Sequence, residues 1–222
     1  MKYPNLQEEK KLWKKGFRRV ACLDESGRGP LCGPVVAAAV VIENCKLQIG
    51  NCKFFGEIND SKKLTPKKRE ILYKFLIKNP AIEWGIGKVS EKIIDKINIL
   101  EATKLAMKKA IAKLKKKPDF LILDGNFKLD LPTCGEQSRT IPQKSIVKAD
   151  EKVFSCAAAS ILAKVSRDRI MQKYHLKYPR YRFNQHKGYP TKLHRRLLKK
   201  YGWCKIHRKS FGPVKRLDFL NK

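Results

Sequence analysis

The sequence predicts an α/β fold, a sheet opened by a hairpin and flanked by helices, and three observations carry that prediction. Two apolar, strand-like segments at 18–24 and 33–42 are joined only by 25–32, a link too short for a helical crossover and suited to an antiparallel hairpin. A continuous apolar run at 120–123 ends in Asp124 and Gly125, the pattern of a strand buried on both faces. Helical periodicity precedes that run, so the buried strand is expected to pair in parallel. With 42% apolar residues in a chain of 222, there is material for one sizeable core.

The elements follow in order. Segment 1–16 is a charged extension, 17–180 the core, and 181–222 a basic C-terminal region packed on that core, together one functional unit. After the hairpin, Thr65 before Pro66 gives a helix start, with apolar positions at 71, 72, 75 and 76 on one face to about Lys78. Segment 83–89 alternates as a strand around Gly85 and Gly87. Ser90 can cap a short helix, and Asn98 with Glu101 reads as a capping box opening a longer one to about Lys116, whose Leu105, Ala106, Ala110 and Leu114 share a face. Beyond the buried strand, 145–150 is expected to form a further strand, and 155–173 a helix whose alanines permit close packing. After Tyr178-Pro179 the chain is basic, aromatic and short-turned, a small helical region.

A formal net charge of +31, from 51 Lys and Arg against 20 Asp and Glu, calls for a polyanionic partner, nucleic acid ahead of a membrane surface. The N-terminus has no apolar core of a signal peptide, and nowhere is there an uncharged apolar run of about 18 residues, so no membrane role is expected. Seven cysteines, at 22, 32, 45, 52, 134, 156 and 204, form no Cys-x-x-Cys pair and no zinc-type spacing with His. Reduced thiols in the cytoplasm and no structural zinc are the expectation, with a monomer as the default state.

In so basic a chain, acids at strand ends stand out. Asp24 and Glu25 close the first strand, Asp124 the buried one, and Asp150 the segment 145–150. Ligand sites in open α/β sheets gather at such carboxyl ends, and converging carboxylates repel unless an oxygen-loving divalent cation, Mg²⁺ or Mn²⁺, holds them. Each acid taken singly is as well explained as a turn former. Adjacent strand residues also point to opposite faces, so Asp24 and Glu25 share a site only if the strand breaks there, which Gly27 and Gly29 allow. The Gly27-Arg28-Gly29 stretch is no dinucleotide loop, because a strand and not a helix follows. It suits a turn whose backbone approaches a polar ligand, or an ordinary hairpin turn. Segment 124–135 lacks the final carboxylate of a calcium loop, having Gly135 there. The charge alone fits a non-catalytic RNA-binding protein of ribosomal type equally well, although such a protein has no use for clustered acids.

These residues resemble bacterial ribonuclease HII, the type 2 ribonuclease H. The matching runs are LDESGRGPLCGPVV at 23–36, DSKKL at 60–64, INI at 97–99, DGN at 124–126, KAD at 148–150, AAASILAKVSRD at 157–168, HKGY at 186–189 and HRKSF at 207–211. Small departures are Ser26 and Cys32, where Ala is common, and Ala149, where Gly often precedes the Asp.

The resemblance implies a ribonuclease H-like fold, a mixed five-stranded sheet flanked by helices with a small helical C-terminal region. It implies endonucleolytic cleavage of the RNA strand of RNA–DNA hybrids and incision 5′ of single ribonucleotides in duplex DNA, leaving 5′-phosphate and 3′-hydroxyl ends. By the same likeness Asp24, Glu25, Asp124 and Asp150 bind two Mg²⁺ or Mn²⁺ ions, roughly 3.5–4 Å apart in such sites. Gly27, Arg28, Gly29, Ser61, Lys62, Lys187 and Tyr189 contact the substrate, with Tyr189 stacking on the sugar beside the 2′-hydroxyl. Another nuclease of the fold, a type 1 ribonuclease H or a resolvase, is the nearest alternative. Lys62, Lys63, Arg167, Lys187, Arg208 and Lys209 are candidate phosphate contacts. His175, His186, His194 and His207 read as surface or phosphate-contacting residues, with His186 open as a proton-transfer group.

Overall fold

In the computed structural model, which describes residues 3–42, 55–131 and 140–218, the hairpin forms as its short link requires. Strand β1 (Val20–Ser26) runs antiparallel to β2 (Val35–Ile42), which pairs antiparallel with β3 (Ile82–Val89). On the other side β1 pairs in parallel with β4 (Phe120–Asp124), and β4 in parallel with β5 (Gln143–Ile146). The five-stranded sheet is therefore mixed, in the order β3-β2-β1-β4-β5. Cys45, Cys52, Cys134 and Gly135 lie outside the described residues.

The sequence VVAAAVVI makes β2 central because both of its faces are apolar, and all eight residues are buried. Val35, Ala37, Ala39 and Val41 pack on one side against Ala102, Ala106, Met107 and Ala110 of α3 (Glu91–Ile111). Ala38, Val40 and Ile42 pack on the other against α2 (Pro66–Lys78) and the alanine-rich start of α4 (Phe154–Lys177). Each buried Val, Ile or Leu contributes about 1.5–3 kcal/mol relative to exposure. Gly85 and Gly87 let α3 lie directly on β3, since a Cβ at either would stand 2.1 Å from the Ala110 carbonyl oxygen or 2.0 Å from that of Ala106.

Helix starts follow their predicted chemistry in part. The Thr65 hydroxyl accepts the Lys68 N–H at 3.3 Å. The Asn98 side chain accepts from Leu100 and Glu101 at 2.9 and 3.1 Å, and its non-helical backbone (φ +64°) divides Glu91–Ile111 at a kink into a short helix and a longer one that Asn98 caps, as the capping reading expects. That helix ends at Ile111, short of Lys116.

One predicted strand is corrected. Segment 145–150 does not continue as a strand to Asp150. β5 stops at Ile146, Lys148 takes the left-handed conformation (φ +57°), and Ala149–Glu151 forms a 3₁₀ turn. The Ala149 N–H donates to the Asp124 carboxylate at 2.8 Å, which draws the chain across the end of β4 instead of along it.

The charged N-terminal segment holds α1 (Gln7–Lys14), whose Leu12 packs with Val20, Cys22 and Ile122. Its buried Glu9 accepts the backbone N–H and the hydroxyl of Ser155, at 3.0 and 2.7 Å, at the first turn of α4. The basic C-terminal region forms α5 (Phe183–His186), α6 (Lys192–Tyr201) and α7 (Gly212–Asp218). No described helix is long and apolar enough to cross a membrane.

Candidate active site

Parallel pairing of β1 with β4, Leu23 opposite Leu123, puts Asp24 and Asp124 side by side at the same sheet end. The 3₁₀ turn after β5 delivers Asp150 to the same place. One carboxylate oxygen from each of the three lies within 4.8 Å of the others. Glu25, the fourth predicted acid, lines one cavity with Asp24 of this triad, with its Oε1 3.5 Å from Nη1 of Arg28. Adjacent side chains serve one cavity because the Glu25 N–H donates to Asp24 Oδ1 at 2.7 Å, and because the strand ends one residue later, where Gly27 turns at φ +104°.

Burial and mutual repulsion leave the group short of positive charge. Burial first, then Glu25, Asp124 and Asp150, push the Asp24 carboxyl well above its ordinary range. Burial pushes Glu25 up to about 7 against the pull of Arg28. Asp150 is pushed to about 6 by burial and then by Asp124 and Asp60, with Lys62 opposing. Its Nζ is 3.8 Å from Asp150 Oδ2, on a side chain that is 80% exposed and so screened by water. Two buried oxygens, Glu25 Oε2 and Asp150 Oδ2, have no hydrogen-bond partner. Orphaned carboxylate oxygens in an all-oxygen group fit a hard divalent cation of the Mg²⁺ or Mn²⁺ type.

Of the four acids, Asp24 and Glu25 line a cavity of about 560 Å³, whose other walls include the Gly27-Arg28-Gly29 turn, Ser61, Lys62 and Tyr189. A Cβ on Gly27 would stand 2.2 Å from Arg167 Nε, whereas one on Gly29 would meet nothing, so the first glycine packs inward and the second leaves the turn open outward. Lys187 is not on this wall. It lines an adjoining cavity of about 530 Å³ that shares Arg69 and Lys164 with the first. A groove of similar size, about 580 Å³, between the N-terminal segment and β5 holds no carboxylate cluster and is set aside on chemistry.

Three lining residues escaped sequence reasoning. Ser160 lies 2.7 Å from Ser61, hydroxyl to hydroxyl; Arg69 donates to the carbonyls of Ser61 and Leu64 at 2.7 and 2.5 Å; Lys164 sits 5.7 Å from the centre of the Tyr189 ring. The one signal was the spacing of Ser160 and Lys164, four apart on one helix face.

Two expectations fail on burial. Arg167 and Arg208 are fully buried and donate to backbone carbonyls, so neither contacts phosphate. His186, His194 and His207 are buried, not surface residues. Gly188 N–H donates to His186 Nδ1 at 3.1 Å and the Nε2 faces the Tyr181 carbonyl at 2.8 Å, which commits both nitrogens and leaves none for proton transfer. Cys204 N–H donates to His207 Nδ1 at 3.0 Å, so the His207 Nε2–H donates to His194 Nε2 at 3.2 Å and His194 Nδ1–H to the Tyr189 carbonyl at 3.0 Å. Burial lowers the two rings to about 3 and about 4, keeping them neutral. Cys32 lies within 4.8 Å of this pair, a grouping no sequence spacing announced, yet the wiring already occupies both rings.

Comparison with known proteins bears on the same residues. The family profile described as Ribonuclease HII matches residues 21–214, which includes every carboxylate of the cluster and Tyr189. The chain belongs to the ribonuclease HII family. A ribonuclease HII of Chlamydia trachomatis serovar A is 49% identical over 215 residues, 95% of this chain and 92% of that one. The ribonuclease H2 of Pyrococcus horikoshii superposes with a TM-score of 0.69 at 29% identity, covering 91% of this chain and 98% of that one. The ribonuclease HII of Archaeoglobus fulgidus, solved as a complex with PCNA, gives 0.63 at 28% identity, over 82% of this chain and 88% of that one. Family and fold agree with the ribonuclease H-like expectation, and the ribosomal-type alternative falls. The protein is an endoribonuclease, a hydrolase with ribonuclease H activity on RNA–DNA hybrids.

Proposed function

We propose that the enzyme, with Mg²⁺ or Mn²⁺, also incises 5′ of a single ribonucleotide embedded in duplex DNA, leaving a 5′-phosphate and a 3′-hydroxyl. The observation that carries this reading is the convergence of Asp24, Asp124 and Asp150 from three separate segments beside a glycine turn and an aromatic ring. Asp24, Glu25, Asp124 and Asp150 would hold the ions. When bound, such ions supply charge to the attacking and leaving oxygens of an in-line displacement. No side chain acts as nucleophile: water forms the new bond to phosphorus, and the bond to the 3′ oxygen breaks.

The chain's own residues then select and orient. The 2′-hydroxyl alone distinguishes the target nucleotide, and the backbone at Gly27, Arg28 and Gly29 is close enough to the acids to read it. The half-exposed ring of Tyr189 stacks on the neighbouring sugar, while Ser61, Lys62 and, from the adjoining cavity, Lys187 bind phosphates. Segments 1–16, 17–180 and 181–222 act as one unit, a cytoplasmic monomer serving ribonucleotide excision repair and DNA replication. The four described cysteines, buried free thiols, support the reducing compartment.

The test is cleavage, with and without Mn²⁺ or Mg²⁺, of a duplex carrying one ribonucleotide and of a duplex with a continuous RNA strand. Metal-dependent cutting of both at the stated bond is expected. Cutting of the continuous hybrid alone would overturn the single-ribonucleotide reading in favour of type 1 behaviour.

A further inference from the structure

We infer that Arg167 and Arg208 are positioning residues for substrate reading, two buried guanidinium groups that draw the carbonyls of turn 27–34 inward and so aim its N–H groups at the cavity. The inference rests on the proposed role of that turn.

Both side chains are fully buried, and among the described residues neither has a carboxylate within ion-pair distance. A buried, unpaired charge is costly, and apolar side chains of similar volume would pack a turn more cheaply. Backbone carbonyls take the place of a counter-ion. Arg208 donates to the oxygens of Gly27 at 2.6 Å, Arg28 at 3.0 Å and Gly33 at 2.9 and 3.0 Å. Arg167 donates to those of Cys32 at 3.1 Å, Pro34 at 3.1 Å and Lys187 at 3.0 Å.

Peptide geometry turns this into a statement about donors. In a trans peptide the C=O and the following N–H point in opposite directions, and no described peptide is cis. With the Gly27 and Arg28 carbonyls held toward Arg208, the N–H groups of Arg28 and Gly29 point away from it, on the side of the cavity these residues line. Neither N–H has a hydrogen-bond partner among the described residues. The same arginines tie the turn to the second reading element: Arg167 holds the carbonyl two residues before Tyr189, its guanidinium lies 5.8 Å from the centre of that ring, and Leu31 N–H donates to the Gly188 carbonyl at 2.8 Å.

The experiment compares wild type with Arg208→Lys, Arg208→Met and Arg167→Lys. It measures kcat and KM on the single-ribonucleotide and continuous-RNA duplexes, Mn²⁺ affinity by calorimetry, and the amide resonances of Arg28 and Gly29. A positioning role predicts unchanged Mn²⁺ affinity, shifted amide resonances, and a loss in kcat/KM on the single-ribonucleotide duplex of about tenfold to a hundredfold, the scale of an ångström misplacement. The loss on the continuous-RNA duplex is smaller, and Lys rescues part of the Met defect. Equal losses on both duplexes, or unchanged preference in folded variants, overturn the inference. Should Arg208→Met fail to fold, the two Lys variants decide by the same preference and amide shifts. A wild type that never cuts the single-ribonucleotide duplex defeats the functional reading, and this inference with it, whereas a wild type that cuts beside variants of unchanged preference defeats this inference alone.

Discussion

Asp150→Asn tests whether the carboxylate cluster burdens the fold until a cation fills it. Burial, then the charges of Asp124 and Asp60, push the Asp150 carboxyl up from an ordinary 3.8 to about 6. Two units at about 1.4 kcal/mol each mean that the ionised carboxylate withholds about 3 kcal/mol of stability. Because the folded value is the higher one, that stability is fully present below pH 3.8, declines as pH rises toward 6, and is gone above it. Asn cannot ionise, and the contact it loses with the exposed Lys62 is worth at most about 1 kcal/mol. In chelator at pH 8 the variant should therefore be about 1–3 kcal/mol more stable than wild type, a rise in Tm of roughly 2–10 °C at this chain length. The gap should close by pH 4. Saturating Mn²⁺ should reverse the order, since a ligand at 100 times its Kd stabilises by about 2.7 kcal/mol and the variant lacks one of the carboxylates proposed to hold the ion. Urea unfolding at several pH values, with chelator and with Mn²⁺, measures all of this. A variant less stable than wild type at pH 8 in chelator, or a gap indifferent to pH, would refute the reasoning.

Other predictions follow from single contacts. Asp124→Asn keeps the acceptor for the Ala149 N–H, so it should fold and bind the duplex while cutting slows about 10³-fold or more, checked by single-turnover assay beside a binding isotherm. Glu9→Ala strands the Ser155 N–H and hydroxyl at the start of α4 and should cost about 2 kcal/mol in urea unfolding, with Glu9→Gln restoring at least half. His194 and His207 have folded values of about 4 and about 3, below the ordinary 6.5, so the stability they contribute is complete above 6.5 and is lost as pH falls through those values, opposite in sign to Asp150. Their imidazole ¹⁵N shifts should still be those of neutral rings at pH 5.

What could be read in the sequence was what depends on local chemistry or on a repeating pattern. The VVAAAVVI run, the hairpin link and the Thr65-Pro66 start each fix an element whatever the rest of the chain does, and the strand-end position of Asp24 and Asp124 follows from parallel pairing. Asp150 stands out as an acid at a segment end, but its backbone is not the strand expected, because the turn that carries it is made by a hydrogen bond from Ala149 to Asp124, 25 residues away in sequence, and by a lysine in the left-handed region. Arg167, Arg208 and three histidines were misread for one reason. Basic residues in a chain of net charge +31 default to the surface, and nothing local distinguishes the two arginines whose partners are carbonyls contributed by a turn more than 130 residues away.

The two arginines and the acids are held by backbone groups of neighbouring segments, the arginines by carbonyls of 27–34 and Asp24 by the Glu25 N–H. Placed alone, three converging carboxylates would repel, and two guanidinium groups packed together would do the same; burial and Arg167 already lower Arg208 to about 9. The peptides of Gly27 and Arg28 present carbonyls to the cations, and the preceding Glu25 presents its N–H to Asp24. Each cluster thus meets backbone dipoles of its own, the arginines carbonyl oxygens and Asp24 an N–H. A buried arginine paired with Asp24 would relieve the repulsion among the acids but would occupy a carboxylate that the proposed function needs for a divalent ion.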